Sequence, residues 1–215
     1  MIEAVLFDFD GIIVDSERLH WSAFNKVFEP LGKTISWADY IRTYIGFDDR
    51  DTFRTAVPNL GKAELSALIE RKAAAFQELL ESDGAAALPG AVELINCLSG
   101  NIPLAICSGA LREDILPILG KLGVSDAFNT IVTANDTHIS KPDPAPYRLA
   151  MQKLGVTGGL AIEDTPAGIA SAKGAGLNVL SVTNSYTAEF LTQADAVVDS
   201  LEGLTLEKLN QLFSP

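Results

Sequence analysis

Asp8 and Asp10 flank a single residue directly after the apolar run Val5-Leu6-Phe7, and Gly11 follows them. On a strand, residues two apart face the same side, so the pair places two carboxylates together beside a turn. One can attack an electrophile or hold a metal while the other moves protons; Asp-Gly is also ordinary turn chemistry. Three more polar clusters accompany short apolar runs. Ser108-Gly109 follows Pro103-Leu104-Ala105-Ile106-Cys107, Lys141-Pro142 follows His138-Ile139-Ser140, and Glu163-Asp164 follows Gly159-Leu160-Ala161-Ile162. A hydroxyl with free N–H groups at the start of a helix makes an anion site, although serine is equally a common helix cap. Lys141 in a proline-bearing turn can neutralise a phosphate and an attacking carboxylate, or stand solvated. Glu163 and Asp164 repel one another unless a cation lies between them and Asp8; alternatively they are helix-start acids favoured by the macrodipole. Mg²⁺ takes oxygen ligands and keeps waters and phosphate oxygens in its shell. Three or four carboxylates, one hydroxyl and one lysine suit a divalent cation and a phosphoryl group.

These clusters need strands to hold them. Strand-like runs fall at 3–9, 103–108, 130–134, 159–163, 178–182 and 196–199, and helical patterns near 91–99, 111–122, 144–154, 166–175, 187–193 and 205–213. Alternation of this kind indicates an α/β fold, a parallel sheet covered on both faces, whose strands present chemistry at their carboxyl ends. Thr165 with Pro166 reads as an N-cap and first helical position. Pro117 stands inside a helical pattern and is placed to kink it. Between 16 and 82 no strand-like run occurs. Trp21, Phe24, Val27, Phe28 and Leu31 recur at helical spacing up to Gly32. Ser36 and Asp39 form a candidate capping box for a helix carrying Ile41, Tyr44 and Ile45, which Gly46 breaks. Leu65, Leu68, Ile69, Ala73, Phe76, Leu79 and Leu80 mark a long amphipathic helix. The expected organisation is therefore a sheet core from 1–15 and 83–215, with 16–82 inserted as an all-helical cap. A cap placed directly after the first strand's chemical end overhangs the site as a lid, with hinges near 11–16 and 82–89.

The chain has 215 residues, 47% of them hydrophobic, and a net charge of 16 − 28 = −12. That surface makes nucleic acid and anionic membrane poor partners, so a phosphorylated substrate needs a local positive patch. Cys97 and Cys107 have no disulfide or metal spacing and read as reduced core residues. The chain opens on a strand, without a signal-like segment, and no apolar run nears the ~18 residues of a membrane span. A cytoplasmic protein, monomeric or weakly dimeric, is expected.

The four clusters stand in the order of the motifs of haloacid dehalogenase-like hydrolases, and the resemblance covers the whole chain. It is most similar to the phosphoglucomutase-like phosphatase branch, on Val-Leu-Phe-Asp-Phe-Asp-Gly-Ile-Ile-Val-Asp-Ser-Glu at 5–17 and Ile-Glu-Asp-Thr-Pro-Ala-Gly-Ile-Ala-Ser-Ala-Lys-Gly-Ala-Gly at 162–176. The resemblance implies a Rossmann-like core around one Mg²⁺ site. Asp8 would become phosphorylated, and Asp10 would protonate the leaving oxygen and then deprotonate water. Mg²⁺ would be held by Asp8, the Asp10 carbonyl and Asp164, with Glu163 in its inner or outer shell. Ser108, Gly109 and Lys141 would hold the phosphoryl oxygens. Asp10 separates the chain from the dehalogenases of the superfamily.

The cap departs from the sugar-phosphate mutases of that branch, which grip a distal phosphate with a lysine and an arginine around a glycine. At Gly46, Ile45 stands where the lysine is expected and Asp49 where the arginine is, with Arg50 one place further on. Ser16 and His20 resemble the mutase positions that couple the lid to Asp10; His20 reads equally as a polar residue of the first cap helix. Half a clamp favours hydrolysis of a small phosphorylated metabolite over a mutase reaction. A phospho-accepting receiver domain shares the Asp, hydroxyl and Lys set but has ~120 residues and no insert.

Overall fold

The computed structural model describes residues 2–213. Its strands are β1 (Val5–Phe7), β2 (Val14–Asp15), β3 (Ala86–Ala87), β4 (Leu104–Cys107), β5 (Thr130–Val132), β6 (Leu160–Glu163), β7 (Asn178–Val182) and β8 (Ala196–Val198). Six of them form one parallel sheet in the order β5-β4-β1-β6-β7-β8. Strand β1 is central: Phe7 lies beside Ile106 on one side and Ile162 on the other. The three central strands therefore end level, which brings Asp8, Ser108 and Glu163-Asp164 to one edge.

Every residue of β1, β4 and β6 is buried. Alternate residues feed opposite cores, as the two-residue period of a strand requires. Val5, Phe7, Ile106 and Ile162 pack with Leu94, Ile95, Ile115 and Ile118 of helices α5 (Ala91–Leu98) and α6 (Arg112–Leu122). Leu6, Ala105, Ala161 and Val179 pack with Tyr147 of α7 (Ala145–Leu154) and Ile169 of α8 (Pro166–Gly174). Helix α9 (Leu206–Phe213) adds Leu209 to the first face. Strands covered on both faces have no polar side to present, hence the unbroken apolar runs.

The segment 17–82 contains α1 (Glu17–Phe28), α2 (Trp37–Thr43), α3 (Asp49–Ala56) and α4 (Lys62–Ser82). It has an apolar cluster of its own, with Phe24, Phe28, Tyr40, Phe53 and Leu68 at its centre. Ser36 caps α2 by accepting the Asp39 N–H at 3.1 Å. Helix α3 escaped the periodicity argument because it is mostly polar and buries only Asp49, Thr52 and Phe53. Its signature was a cap: Asp48 Oδ1 accepts the Asp51 N–H at 2.8 Å. The two crossings to the sheet are paired with one another, Val14 against Ala87 and Asp15 against Ala86. Two residues per strand carry no pattern to read, but this ladder makes the crossings move together.

Other expectations are corrected. The stretch 187–193 is a single 3-10 turn at Ala188–Phe190 rather than a helix. Leu191 is buried in the core, and Asp195 bonds the Val179 N–H at 2.7 Å, so the chain turns directly into β8. Cys97 is exposed on α5, whereas Cys107 is buried in β4. Pro117 lies inside helix α6, where the helical pattern places it. Ser108-Gly109 does not open that helix, which starts three residues on at Arg112.

Gly90 ends the return crossing at φ +80°, and a Cβ there would overlap the backbone of Leu201 and Glu202. A left-handed alanine costs about 1–2 kcal/mol and forced backbone movement about 1–3 more. Gly90→Ala should lower Tm by roughly 4–20 °C at about 2–4 °C per kcal/mol for a chain of this size. A change under about 2 °C in a thermal melt would show that the 201–202 segment yields freely.

Candidate active site

The level ends of β1 and β6 create a crowd of buried carboxylates. Asp8 Oδ1 accepts the Phe9 N–H at 2.8 Å and lies 3.0 Å from Lys141 Nζ. Lys141 Nζ also reaches Glu163 Oε1 at 2.5 Å, and the Tyr147 hydroxyl donates to the same oxygen at 2.6 Å. Asp164 Oδ2 accepts from Ser185 Oγ, while its buried Oδ1 has no partner among the described residues. One oxygen from each of Asp8, Glu163 and Asp164 falls within 4.8 Å of the others.

The electrostatics follow from this crowding. Burial, then the charges of Glu163 and Asp10, raise the Asp8 pKa to about 8 against the pull of Lys141. Burial, with Asp8 and Glu163 beside it, raises that of Asp164 well above the ordinary carboxylate range. Burial works to discharge Lys141, but Asp8 and Glu163 outweigh it and raise its pKa. One ammonium cannot balance three carboxylates. An orphaned buried oxygen beside a second raised acid, in an all-oxygen set, fits a hard divalent cation. Gly11, at φ +78°, sits against the Asp164 carboxylate, where any Cβ would overlap Oδ2.

Asp10 turns the other way. Its Oδ1 accepts from Ser16 Oγ and lies 3.2 Å from His20 Nε2. His20 Nδ1 is 2.8 Å from Lys72 Nζ, and the ring stacks on Phe76 at 4.3 Å. An ammonium has only donors, so Nδ1 accepts and the ring proton sits on Nε2, facing Asp10. Against burial, His20 and Ser16 hold the Asp10 pKa below its usual value.

Lys72 is fully buried on α4, a residue the sequence reading passed over. It pairs with Asp49 Oδ1 of α3 at 2.8 Å and stands 4.0 Å from Asp114 Oδ2 of α6. Gln77 Nε2 of α4 donates to Asp114 Oδ1 at 2.8 Å. The signal for Lys72 was present: it continues the stripe Leu65-Leu68-Ile69 toward Phe76 at helical spacing, a lysine where an apolar residue belongs.

The front of the site is a cavity of about 40 Å³ between Asp8, Asp10, Lys141 and the helical segment. His20 and Gly46 line it from the helical side, and Gly109 from the sheet side. So do Glu17, Tyr40, Phe47 and Asp49, of which only Asp49 drew attention in the sequence. Ser108 stands just outside, its hydroxyl accepting the Ala110 N–H at 2.9 Å, in a small neighbouring cavity shared with Lys141. Arg50 does not enter the front cavity. It bonds Asp48 Oδ2 at 2.8 and 2.5 Å and the Thr137 carbonyl at 3.1 Å. It ties α3 to the loop that carries Lys141 and lines the small neighbouring cavity with Ser108, Gly109 and Lys141.

The sequence model described as haloacid dehalogenase-like hydrolase matches residues 5–182. The validoxylamine A 7'-phosphate phosphatase of Streptomyces hygroscopicus subsp. limoneus is 30% identical, over 94% of this chain and 95% of that protein. The structure of CbbY from Rhodobacter sphaeroides in complex with phosphate superposes with a TM-score of 0.89 at 27% identity, covering 98% of this chain and 100% of the other. A β-phosphoglucomutase from Clostridium difficile gives a TM-score of 0.86 at 27% identity, covering 99% and 97%.

Lys72→Met leaves Asp49 and Asp114 in the interior without their shared cation. Breaking a buried pair from one side costs about 3–5 kcal/mol, so chemical denaturation should show a loss of that order. A loss below about 1 kcal/mol would show that the helical segment does not depend on this lysine.

Proposed function

The chain belongs to the haloacid dehalogenase-like hydrolases, and from that membership we propose a phosphatase that hydrolyses a small phosphorylated metabolite, a sugar phosphate, through an aspartyl-phosphate on Asp8. The observation that carries this reading is Asp8 at the end of the central strand, held 3.0 Å from Lys141 and facing the same cavity as Asp10. It is supported by the phosphatase among the relatives and the phosphate complex among the structural neighbours.

An Asp8 oxygen attacks phosphorus as the bond to the leaving oxygen breaks. Ser16 and His20 hold the free Asp10 carboxylate ionised, so Asp10 must first take up a proton from solvent, which it then delivers to that oxygen, and the alcohol departs neutral. Asp10 then accepts a proton from water, whose oxygen attacks the phosphorus of the aspartyl-phosphate and frees Asp8 and inorganic phosphate. Ser16 and His20 fix the Asp10 carboxylate, with His20 in turn set by Lys72. Lys141 balances charge on Asp8 and on the phosphoryl oxygens, aided by the backbone around Ser108 and Gly109. We assign Mg²⁺ to the Asp8–Asp164 side of the cluster; when bound, it neutralises the acids and the phosphoryl group. Glu163 belongs to its outer shell, because Lys141 and Tyr147 already engage Oε1. Residues 16–82 are read as a cap whose closure shields the phosphoryl group from bulk water, with the core formed by 1–15 and 83–215. No described helix is long and apolar enough to cross a membrane, and we place the protein in the cytoplasm.

The structural similarity to a β-phosphoglucomutase raises a mutase reaction as the second reading. A mutase must retain a bisphosphate intermediate at both ends. The front cavity offers one lysine, Lys141, and on its far side Asp49 and Glu17. Ile45 is buried outside it, and Arg50 is engaged elsewhere. Each missing charge-assisted contact forfeits about 1.5–3 kcal/mol, so hydrolysis is favoured.

Asp8→Asn should abolish phosphate release while leaving the circular dichroism spectrum unchanged; substantial turnover by the folded variant would remove Asp8 from its role. Dialysis against EDTA should stop the native enzyme and Mg²⁺ restore it, whereas Ca²⁺, with its looser and larger shell, should inhibit. Activity persisting in EDTA would contradict the metal assignment. Incubated with β-glucose 1-phosphate and bisphosphate primer, the enzyme should release phosphate faster than it forms glucose 6-phosphate; the reverse order would establish the mutase.

A further inference from the structure

We propose that the cavity wall opposite Asp8 selects phosphate monoesters whose far end donates hydrogen bonds, and turns away those whose far end carries a second anion. This inference rests on the phosphatase reading and names the substrate class for the same site.

The wall is built from Glu17, Tyr40 and Asp49, with His20 beside them. Asp49 is only 9% exposed, and its Oδ2 has no hydrogen-bond partner among the described residues although Oδ1 is satisfied by Lys72. A buried carboxylate oxygen left unpartnered costs free energy until something donates to it. Glu17 accepts the Tyr40 hydroxyl at 2.8 Å through Oε2. Both carboxylates belong to the lining of the cavity. The charge balance points the same way. Lys141 is held by Asp8 and Glu163 at the other end. Lys72 lies behind the wall between Asp49 and Asp114, two carboxylates to its one charge. The His20 proton is directed at Asp10. A phosphate or carboxylate arriving here meets carboxylates and, among the described residues that line the cavity, no unpaired cation, while a hydroxyl or an ammonium supplies what the wall lacks.

The test uses matched substrates on the native Mg²⁺-loaded enzyme. Sorbitol 6-phosphate and 6-phosphogluconate differ in a terminal hydroxymethyl against a carboxylate. Like-charge juxtaposition across a desolvated contact is strongly unfavourable, so kcat/KM for the carboxylate should be lower by about tenfold or more. Equal or better use of 6-phosphogluconate would overturn the proposal. Glucose 6-phosphate and glucosamine 6-phosphate separate the two donors: equal use, or preference for glucose 6-phosphate short of about tenfold, assigns hydroxyls. Preference for glucosamine 6-phosphate assigns an ammonium, and rejection of it by tenfold or more would count against an acceptor wall. Asp49→Asn and Glu17→Gln should each raise the ratio of kcat/KM for 6-phosphogluconate over sorbitol 6-phosphate; an unchanged ratio in both folded variants would remove these residues from recognition. p-Nitrophenyl phosphate keeps the two readings apart. If the native enzyme leaves it intact, the phosphatase reading itself fails. If it is hydrolysed while the anionic member of the pair is favoured, only the specificity inference fails.

Discussion

Three carboxylates and one ammonium share the dry space at the end of the central strands, and most of the structure is arranged around that imbalance. Asp8, Glu163 and Asp164 come together because β1 and β6 are adjacent and end level, Phe7 beside Ile162. Removing like charges from water and placing them within a few ångströms of one another is unfavourable unless a cation intervenes. Lys141 supplies one charge, and the raised pKa values of Asp8 and Asp164 show that one is too few. The deficit is what a divalent cation and an incoming phosphoryl group exploit together. The cation needs the acids, and the phosphate needs the cation, since the wider surface at a net charge of −12 only repels it.

A second buried charge network repeats the logic on the helical side. Lys72 sits between Asp49, Asp114 and His20, so one ammonium joins α3, α4 and α6. Because Asp114 belongs to the sheet-covering helix α6 and Asp49 to the helical segment, this network spans the junction between the two parts. It ends on Asp10 through His20. The position of the Asp10 carboxylate is thus tied to the packing of the helices over the site. The Arg50 contact to Thr137 and the Asp51 contact to Ser140 make a further tie on the phosphate side, next to Lys141.

Much of this was legible in the sequence for a physical reason. Strands buried on both faces must be written as unbroken apolar runs, so β1, β4, β6 and β7 were visible, and polar residues directly after them stood out as chemistry. Helices α1 and α4 bury one long face each and announced themselves by period. What stayed hidden had no pattern of its own. Helix α3 buries three residues in eight, and the β2–β3 ladder is two residues long. The stretch after β7 held the residues of a helix without the length to nucleate one. Cys97 followed the apolar pattern of α5 yet lies on its outer face. Side-chain direction was equally unreadable: Arg50 and Asp49 are neighbours, and only the structure sends one to Thr137 and the other to the cavity.

That last contrast carries the argument about specificity. Asp49 stands where the sugar-phosphate mutases of the resemblance carry an arginine. In the structure it is a buried acid with one oxygen committed to Lys72 and the other without a hydrogen-bond partner among the described residues, on the lining of the cavity that Glu17 and Asp8 share. Exchange of a fixed cation for a fixed anion at one position changes more than the strength of a grip. It reverses the sign of the field that the distal end of a substrate enters, while the phosphoryl end, governed by Lys141 and the acids around it, is left as it was. Lys72 joins Asp49 to His20 and so to Asp10, which means that a change of charge at position 49 reaches Asp10 as well as the lining of the cavity.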